Sequence, residues 1–100
     1  MARKIGGRWY RRAWAEGTKV EAERELERMK KGSSHHLHVL VAEIRKDMHG
    51  KEEKMFSIFY RPRKFKNDKE RNDWNRISAE FQKEDLKMAR KGGAYTRLAR

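Results

Sequence analysis

Hydrophobic and polar residues are arranged along the chain in a pattern that predicts three strands and two helices. Aromatic and β-branched residues concentrate in 8–15, 37–45 and 55–61, with glycine or proline near most of these ends, as is typical of strands. Two longer stretches, near 19–31 and 68–91, place apolar residues two, three, four or seven apart and favour amphipathic helices. The predicted order is β-α-β-β-α, and residues 94–98 are long enough for a short final strand.

Capping residues mark the ends of both predicted helices. Thr18 precedes the first helix and Asn67 the second, each with glutamate three positions later, which is the spacing of a capping box. Glycine follows each helical pattern, at Gly32 and at Gly92, and glycine commonly ends helices. The polar stretch between the second and third strands contains His49-Gly50, which indicates a hairpin loop.

This order predicts a small single α+β domain with an antiparallel sheet of three or four strands and two helices packed on one face. We expect residues 8–91 to form the domain, with 1–7 and 92–100 as flexible basic segments. A right-handed crossover from the first to the second strand leaves a gap between them that the third strand can fill. The first and third predicted strands would then be neighbours. In the alternative, a three-stranded meander, the first strand lies at an edge and the two are separated.

Positive charge is segregated along the chain. The 100 residues include 27 Lys/Arg and 15 Asp/Glu, a formal net charge of +12. Residues 1–20 contain six basic residues and one acidic residue, and residues 51–66 contain six basic and two acidic residues. Residues 21–50, by contrast, contain six basic and six acidic residues. The helices are therefore nearly neutral, and the excess charge belongs to the first strand, the end of the third and the two termini.

The two basic segments are also rich in aromatic residues. Cations beside flat rings are typical of surfaces that bind phosphates and stack on bases, so we expect a non-catalytic protein that binds DNA or RNA with low sequence specificity. In the first strand, Arg8, Tyr10, Arg12 and Trp14 would share one face. The residues expected to contact nucleic acid are Arg8, Trp9, Tyr10, Arg11, Arg12, Arg61, Arg63, Lys64 and Lys66.

Two other interpretations use the same residues. The aromatic side chains can form the core while the arginines extend into solvent, with no ligand at all. Alternatively, the chain is a small adaptor or inhibitor that docks on an acidic protein surface. Salt dependence and quenching of tryptophan fluorescence distinguish a nucleic-acid partner from an acidic protein. An exposed edge of the second predicted strand would also allow a homodimer.

No motif in the sequence indicates an enzyme, a cofactor or a metal site. His35, His36 and His38 form the one metal-like cluster, and polar residues opening a strand are its commoner explanation. The third strand lacks the small residues of the RNA-recognition motif, although the element order is similar. Cysteine, a signal peptide and a membrane-length apolar run are all missing from this sequence, so we expect a cytoplasmic protein without a membrane partner, with association with the nucleoid or the ribosome as open alternatives.

Overall fold

The computed structural model describes residues 1–99 as one α+β domain with two helices and a five-stranded antiparallel sheet, curled into a half-barrel. Arg100 and the side chain of Glu16 lie outside this description. The strand order is β1-β2-β4-β3-β5. The elements are β1 (Ala2–Ile5), β2 (Arg8–Glu16), α1 (Lys19–Gly32), β3 (His36–Lys46), β4 (Glu52–Pro62), α2 (Asp68–Arg90) and β5 (Tyr95–Leu98).

The α+β class, the two helices and the antiparallel sheet are confirmed. The Thr18 hydroxyl accepts a hydrogen bond from the backbone of Glu21 at 3.3 Å, and the Asn67 side chain accepts from Glu70 at 2.9 Å. Both predicted helix starts are therefore capped as expected. The β3–β4 hairpin turns at residues 47–51, where Gly50 has a positive φ of 85°. Its strands are longer than predicted: β3 and β4 stay paired as far as Lys46 and Glu52, whereas the predicted strands ended at 45 and began at 55.

Residues 2–5, expected as part of a flexible basic segment, instead form strand β1. Ile5 pairs with Arg8, so only two residues connect β1 to β2. These are Gly6 and Gly7, with φ of 58° and 79°, and this left-handed backbone at both central positions is what a tight type I′ hairpin requires. Residues 95–98, in the other segment expected to be flexible, form β5 and pair with the end of β3.

The first and third predicted strands, β2 and β4, are neighbours in the sheet, as the crossover topology predicted. Arg11 pairs with Tyr60 and Arg12 with Phe59. The register then shifts by one residue: Trp14 lies two positions after Arg12, but its partner Ile58 lies only one position before Phe59. Since consecutive residues of β4 face opposite sides, this bulge places Trp14 on the face opposite Arg12. The expectation that Arg12 and Trp14 share a face is therefore wrong.

The core lies on both sides of the central strand β4. Ile58 and Phe59 are adjacent in sequence and point to opposite faces, yet both are completely buried. Helix α1 packs against β2, β3 and β4 and buries Ala22, whereas α2 packs against β1, β2 and β5 and buries Ser78. The curl of the sheet, together with the two helices, therefore encloses the core. Neither helix is both long and apolar enough for a membrane span within the described chain.

A buried ionic cluster connects β1 and β2, on one side of the curled sheet, to β3 and β5 on the other. Glu43 on β3 is fully buried, and its carboxylate accepts from Arg3 of β1 at 2.7 Å and from Arg12 of β2 at 2.6 Å. Both guanidinium groups also donate to the Thr96 hydroxyl of β5, at 2.9 and 3.0 Å. Contacts between β1 and β5, which are the two edge strands, are possible only because the sheet curls.

Candidate functional site

An open groove of about 830 Å³ lies at the end of the sheet where β2 begins and β4 ends. Three segments that are distant in sequence form it: the β1–β2 hairpin, the end of β4 with the segment 63–67 that follows it, and the first two turns of α2. We call it the basic groove. Its lining residues are Lys4, Gly7, Arg8, Trp9, Arg61, Arg63, Lys64, Phe65, Lys66, Asn67, Asp68, Arg71 and Asn75.

The basic groove has a large excess of positive charge. Seven of its lining residues are lysine or arginine and one is acidic. That acid, Asp68, is 2.7 Å from the guanidinium of Arg71, so its charge is already paired. A concave surface lined by one sign of charge concentrates the electric field and attracts ions of the opposite sign. The groove therefore favours a ligand with several negative charges.

The amino-terminal end of α2 adds to this field. Asn67 caps the helix, and Asn67 and Asp68 both line the groove. The first turn of a helix carries a partial positive charge from its aligned peptide dipoles, which favours anions nearby. Asn75, one turn after Arg71, adds an amide that can donate hydrogen bonds.

The Arg61 side chain lines the groove and packs against two aromatic rings. Its guanidinium lies 5.6 Å from the ring centre of Tyr10 and 5.7 Å from that of Phe65. Burial lowers the pKa of Arg61, Tyr10 partly offsets this effect, and the positive charge of Arg8 lowers the pKa further. Arginine remains charged at neutral pH despite such shifts. Arg8 and Arg61 both line the groove and repel each other as like charges, so an anion bound beside both would relieve that repulsion.

Two aromatic rings border the cations. Trp9 and Phe65 line the groove and are both partly exposed. The backbone carbonyl of Trp9 accepts a hydrogen bond from the Trp74 indole at 2.9 Å, which holds the start of β2 against α2. Phe65 in turn packs against Trp74, with ring centres 6.4 Å apart. Trp9 therefore presents a ring in the groove from a backbone position that the core fixes.

Six of the nine residues expected from the sequence line the basic groove: Arg8, Trp9, Arg61, Arg63, Lys64 and Lys66. The fold also brings in Lys4 and Arg71, which were not among the expected site residues. Lys4 belongs to the unexpected strand β1, and Arg71 lies on a helix whose overall charge is nearly balanced. The Gly-Gly pair at 6–7, a known hairpin signal, could have revealed the position of Lys4.

The other three expected residues do not line the groove. Tyr10 is only 8% exposed, and Arg61 lies over its ring, so we no longer place it as a stacking residue. Arg11 packs under α2, where its guanidinium lies 3.9 Å from the Trp74 ring centre and donates to Ser78 at 3.1 Å. Arg12 is bound to Glu43. Each of these three side chains thus interacts with the protein itself and lies outside the basic groove.

The histidine cluster does not form a metal site in the described part of the chain. No group of three or more potential metal ligands converges among residues 1–99. His36 and His38 lie instead in a smaller cavity beside Arg63, next to the basic groove.

The basic groove can bind anions, because its cations lie beside partly exposed aromatic rings. No known protein family, curated protein or solved structure shows significant similarity to this chain.

Proposed function

We propose that the protein binds nucleic acid without catalysis and that the basic groove is its contact surface. The observation that carries this proposal is the convergence of seven cations and one already paired acid on a single concave surface. Lysine and arginine that neutralise phosphates supply most of the affinity of non-specific nucleic-acid binding. A phosphate backbone offers evenly spaced negative charges to an open groove of this kind.

The aromatic rings favour nucleic acid over other polyanions. Trp9 and Phe65 lie among the cations, and a base can stack on a ring while its phosphate meets a neighbouring arginine. An acidic protein surface offers carboxylates but no bases. The adaptor interpretation explains the charge of the groove equally well and gives the rings no role.

Low sequence specificity follows from the kind of groups that line the groove. Contacts to phosphates position a protein on nucleic acid but carry no sequence information directly. Arginine can also read base edges when it lies in the major groove of a duplex. Here the lining arginines come from two strands, a loop and the start of a helix, so no single recognition helix presents them together.

The test is a binding panel of single-stranded and double-stranded DNA and RNA at low salt, followed by salt titration of those that bind. Release of counterions predicts a log–log slope of about −0.9 per phosphate on duplex DNA and about −0.7 on single strands. Seven cations therefore limit the duplex slope to about −6. Polyglutamate should compete poorly. If all four nucleic acids fail to bind, the proposal is wrong; effective competition by polyglutamate would favour the adaptor.

A further inference from the structure

A second cavity, of about 310 Å³, lies beside the basic groove and has the same sign of charge. It is lined by Lys30, Ser33, His36, Leu37, His38 and Arg63. Arg63 lines both this cavity and the basic groove. The backbone N–H of Arg63 donates to the His35 carbonyl at 2.9 Å, which fixes the segment after β4 beside the start of β3. We call this second cavity the histidine cavity.

The groups that face each other across the histidine cavity are all basic or neutral. Lys30 comes from α1, His36 and His38 from β3, and Arg63 from the segment after β4. Tyr60 of β4 packs edge-on against His36, with ring centres 5.6 Å apart. No carboxylate is among the described lining residues. The cavity thus contains two permanent cations and two groups that can become cations.

The His36 ring is held by a contact that suits a change of protonation, whereas the buried Nδ1 of His38 has no hydrogen-bond partner among the described residues. Ser33 Oγ lies 2.8 Å from His36 Nδ1. A hydroxyl can donate to a neutral ring nitrogen or accept from a protonated one, so this contact survives in both states. Burial lowers the pKa of His38, and His36, Lys30 and Arg63 lower it further. An anion placed among these groups would offset the repulsion and favour the protonated ring.

We infer that the histidine cavity is a second phosphate-binding subsite, which takes a neighbouring phosphate of the nucleic acid in the basic groove and takes up a proton as it does so. This inference rests on the proposed function. Arg63, shared by both cavities, gives the strand a continuous path of positive charge between them. Because the proton is bound together with the phosphate, affinity should rise as the pH falls below the ordinary pKa of histidine, 6.5.

The first experiment compares the affinity for oligothymidylate without terminal phosphates at pH 7.5 and 5.5. Neither its bases nor its phosphodiesters titrate in this range. The native protein should bind roughly threefold to tenfold more tightly at pH 5.5, since a tenfold change corresponds to one unit of pKa shift. The H36Q/H38Q variant should lose that gain, while H49Q, altered in the distant β3–β4 turn, should keep it. K30Q should bind more weakly at both pH values than K31Q, its exposed neighbour.

The second experiment tests the cavity without nucleic acid. Histidine pKa values are measured by NMR in sodium sulfate and in sodium chloride at equal ionic strength, since sulfate keeps a fixed charge over this range. Sulfate should raise the pKa of His38, and K30Q should reduce this effect while K31Q should not. Failure of every oligonucleotide to bind overturns the proposed function, and the sulfate result still decides whether the cavity takes a tetrahedral anion. Binding of equal strength at both pH values, or no selective sulfate effect, overturns the inference alone.

Discussion

Arg12 on β2 places its guanidinium 2.6 Å from the carboxylate of Glu43 on β3, although β4 lies between these strands. Glu43 is completely buried, and Arg3 binds its second oxygen. The side chains of Arg3 and Arg12 are only 13% and 22% exposed. Two of the chain's positive charges are therefore used to stabilise one buried acid, and they are not available to a ligand.

Removal of this acid should strongly destabilise the fold. In Glu43→Gln, two poorly hydrated guanidinium groups lose their counter-charge, and breaking a buried ion pair in this way costs about 3–5 kcal/mol. Urea denaturation measures the change in the free energy of unfolding. Glu53→Gln is the matched control, because Glu53 pairs with Arg45 on the surface and such pairs contribute roughly 0–1 kcal/mol. Equal losses in the two variants would contradict a special role for Glu43.

Acid should destabilise the protein through the same carboxyl group. Burial by itself raises the pKa of Glu43, but the nearby Ser57 hydroxyl and the guanidinium groups of Arg12 and Arg3 outweigh it and lower the pKa below its ordinary 4.5. The unfolded chain then binds more protons than the folded one, so this contribution is complete above pH 4.5 and is lost as the pH falls through the folded-state pKa.

Unfolding free energies between pH 5 and pH 2 check this dependence. Native protein should lose stability across that range more steeply than Glu43→Gln does. His38, whose pKa burial also lowers, is present in both proteins, so its contribution cancels in the comparison. Parallel curves for the two proteins would show that the pKa of Glu43 is not lowered in the folded state.

Charge reversal in the basic groove should weaken nucleic-acid binding without unfolding the protein. Arg63 and Lys64 are exposed, so Arg63→Glu with Lys64→Glu removes two cations and adds two like charges beside the phosphates. We expect the affinity to fall at least about tenfold and the salt slope to become shallower by about two. The control reverses Lys83 and Lys87, which are exposed on α2 outside the groove. A similar loss in both double variants would mean that net charge, and not the groove, governs binding.

Trp9 should report on stacking directly. A base stacked on its ring would quench indole fluorescence, so single-stranded oligonucleotides should quench the native protein. Trp9→Phe should lose most of this quenching. Trp14→Phe should keep it, because Trp14 lies near the opposite end of β2, outside the groove. Quenching that persists in Trp9→Phe would place the stacking ring elsewhere.

Arg11 should matter for stability and not for binding. Arg11→Lys loses the planar contact with Trp74 and Phe81 and the bond to Ser78, and we expect a loss of roughly 1–2 kcal/mol. Arg8→Lys, at an exposed position of the same strand, should leave unfolding unchanged. Thermal or urea unfolding measures both variants. If Arg11→Lys kept its full stability but clearly lost nucleic-acid affinity, Arg11 would belong to the binding surface after all.

Local signals in the sequence predicted most of the fold. Thr18 and Asn67 specify helix starts through contacts within one turn, and these contacts are visible in the order of residues alone. β1 was missed because Arg3 and Lys4 resemble a solvated tail, and only the Gly6-Gly7 hairpin indicates otherwise. Apolar periodicity also had limits: Phe81 and Met88 follow the helical pattern of α2, yet they are 42% and 55% exposed.

The candidate site was harder to predict than the fold, because neighbouring arginines in β2 have different partners. Arg8 lines the groove, Arg11 packs under α2 and Arg12 binds a buried acid. All three lie within five residues of one another in the same basic, aromatic segment. What separates them is the position of Glu43 and Ser78, each more than thirty residues away, and no local pattern specifies those distances.

The basic groove is assembled from three separate segments of the chain, so its geometry exists only in the folded protein. A basic tail would bind a polyanion equally well before and after unfolding and would leave the melting temperature unchanged. Here, by contrast, the proposed ligand and the fold would be thermodynamically linked. An oligonucleotide at a hundred times its Kd should add about 2.7 kcal/mol to the free energy of unfolding. Nucleic acid would then act as a structural component of this protein, and the fraction of folded chains would depend on how much of it is present.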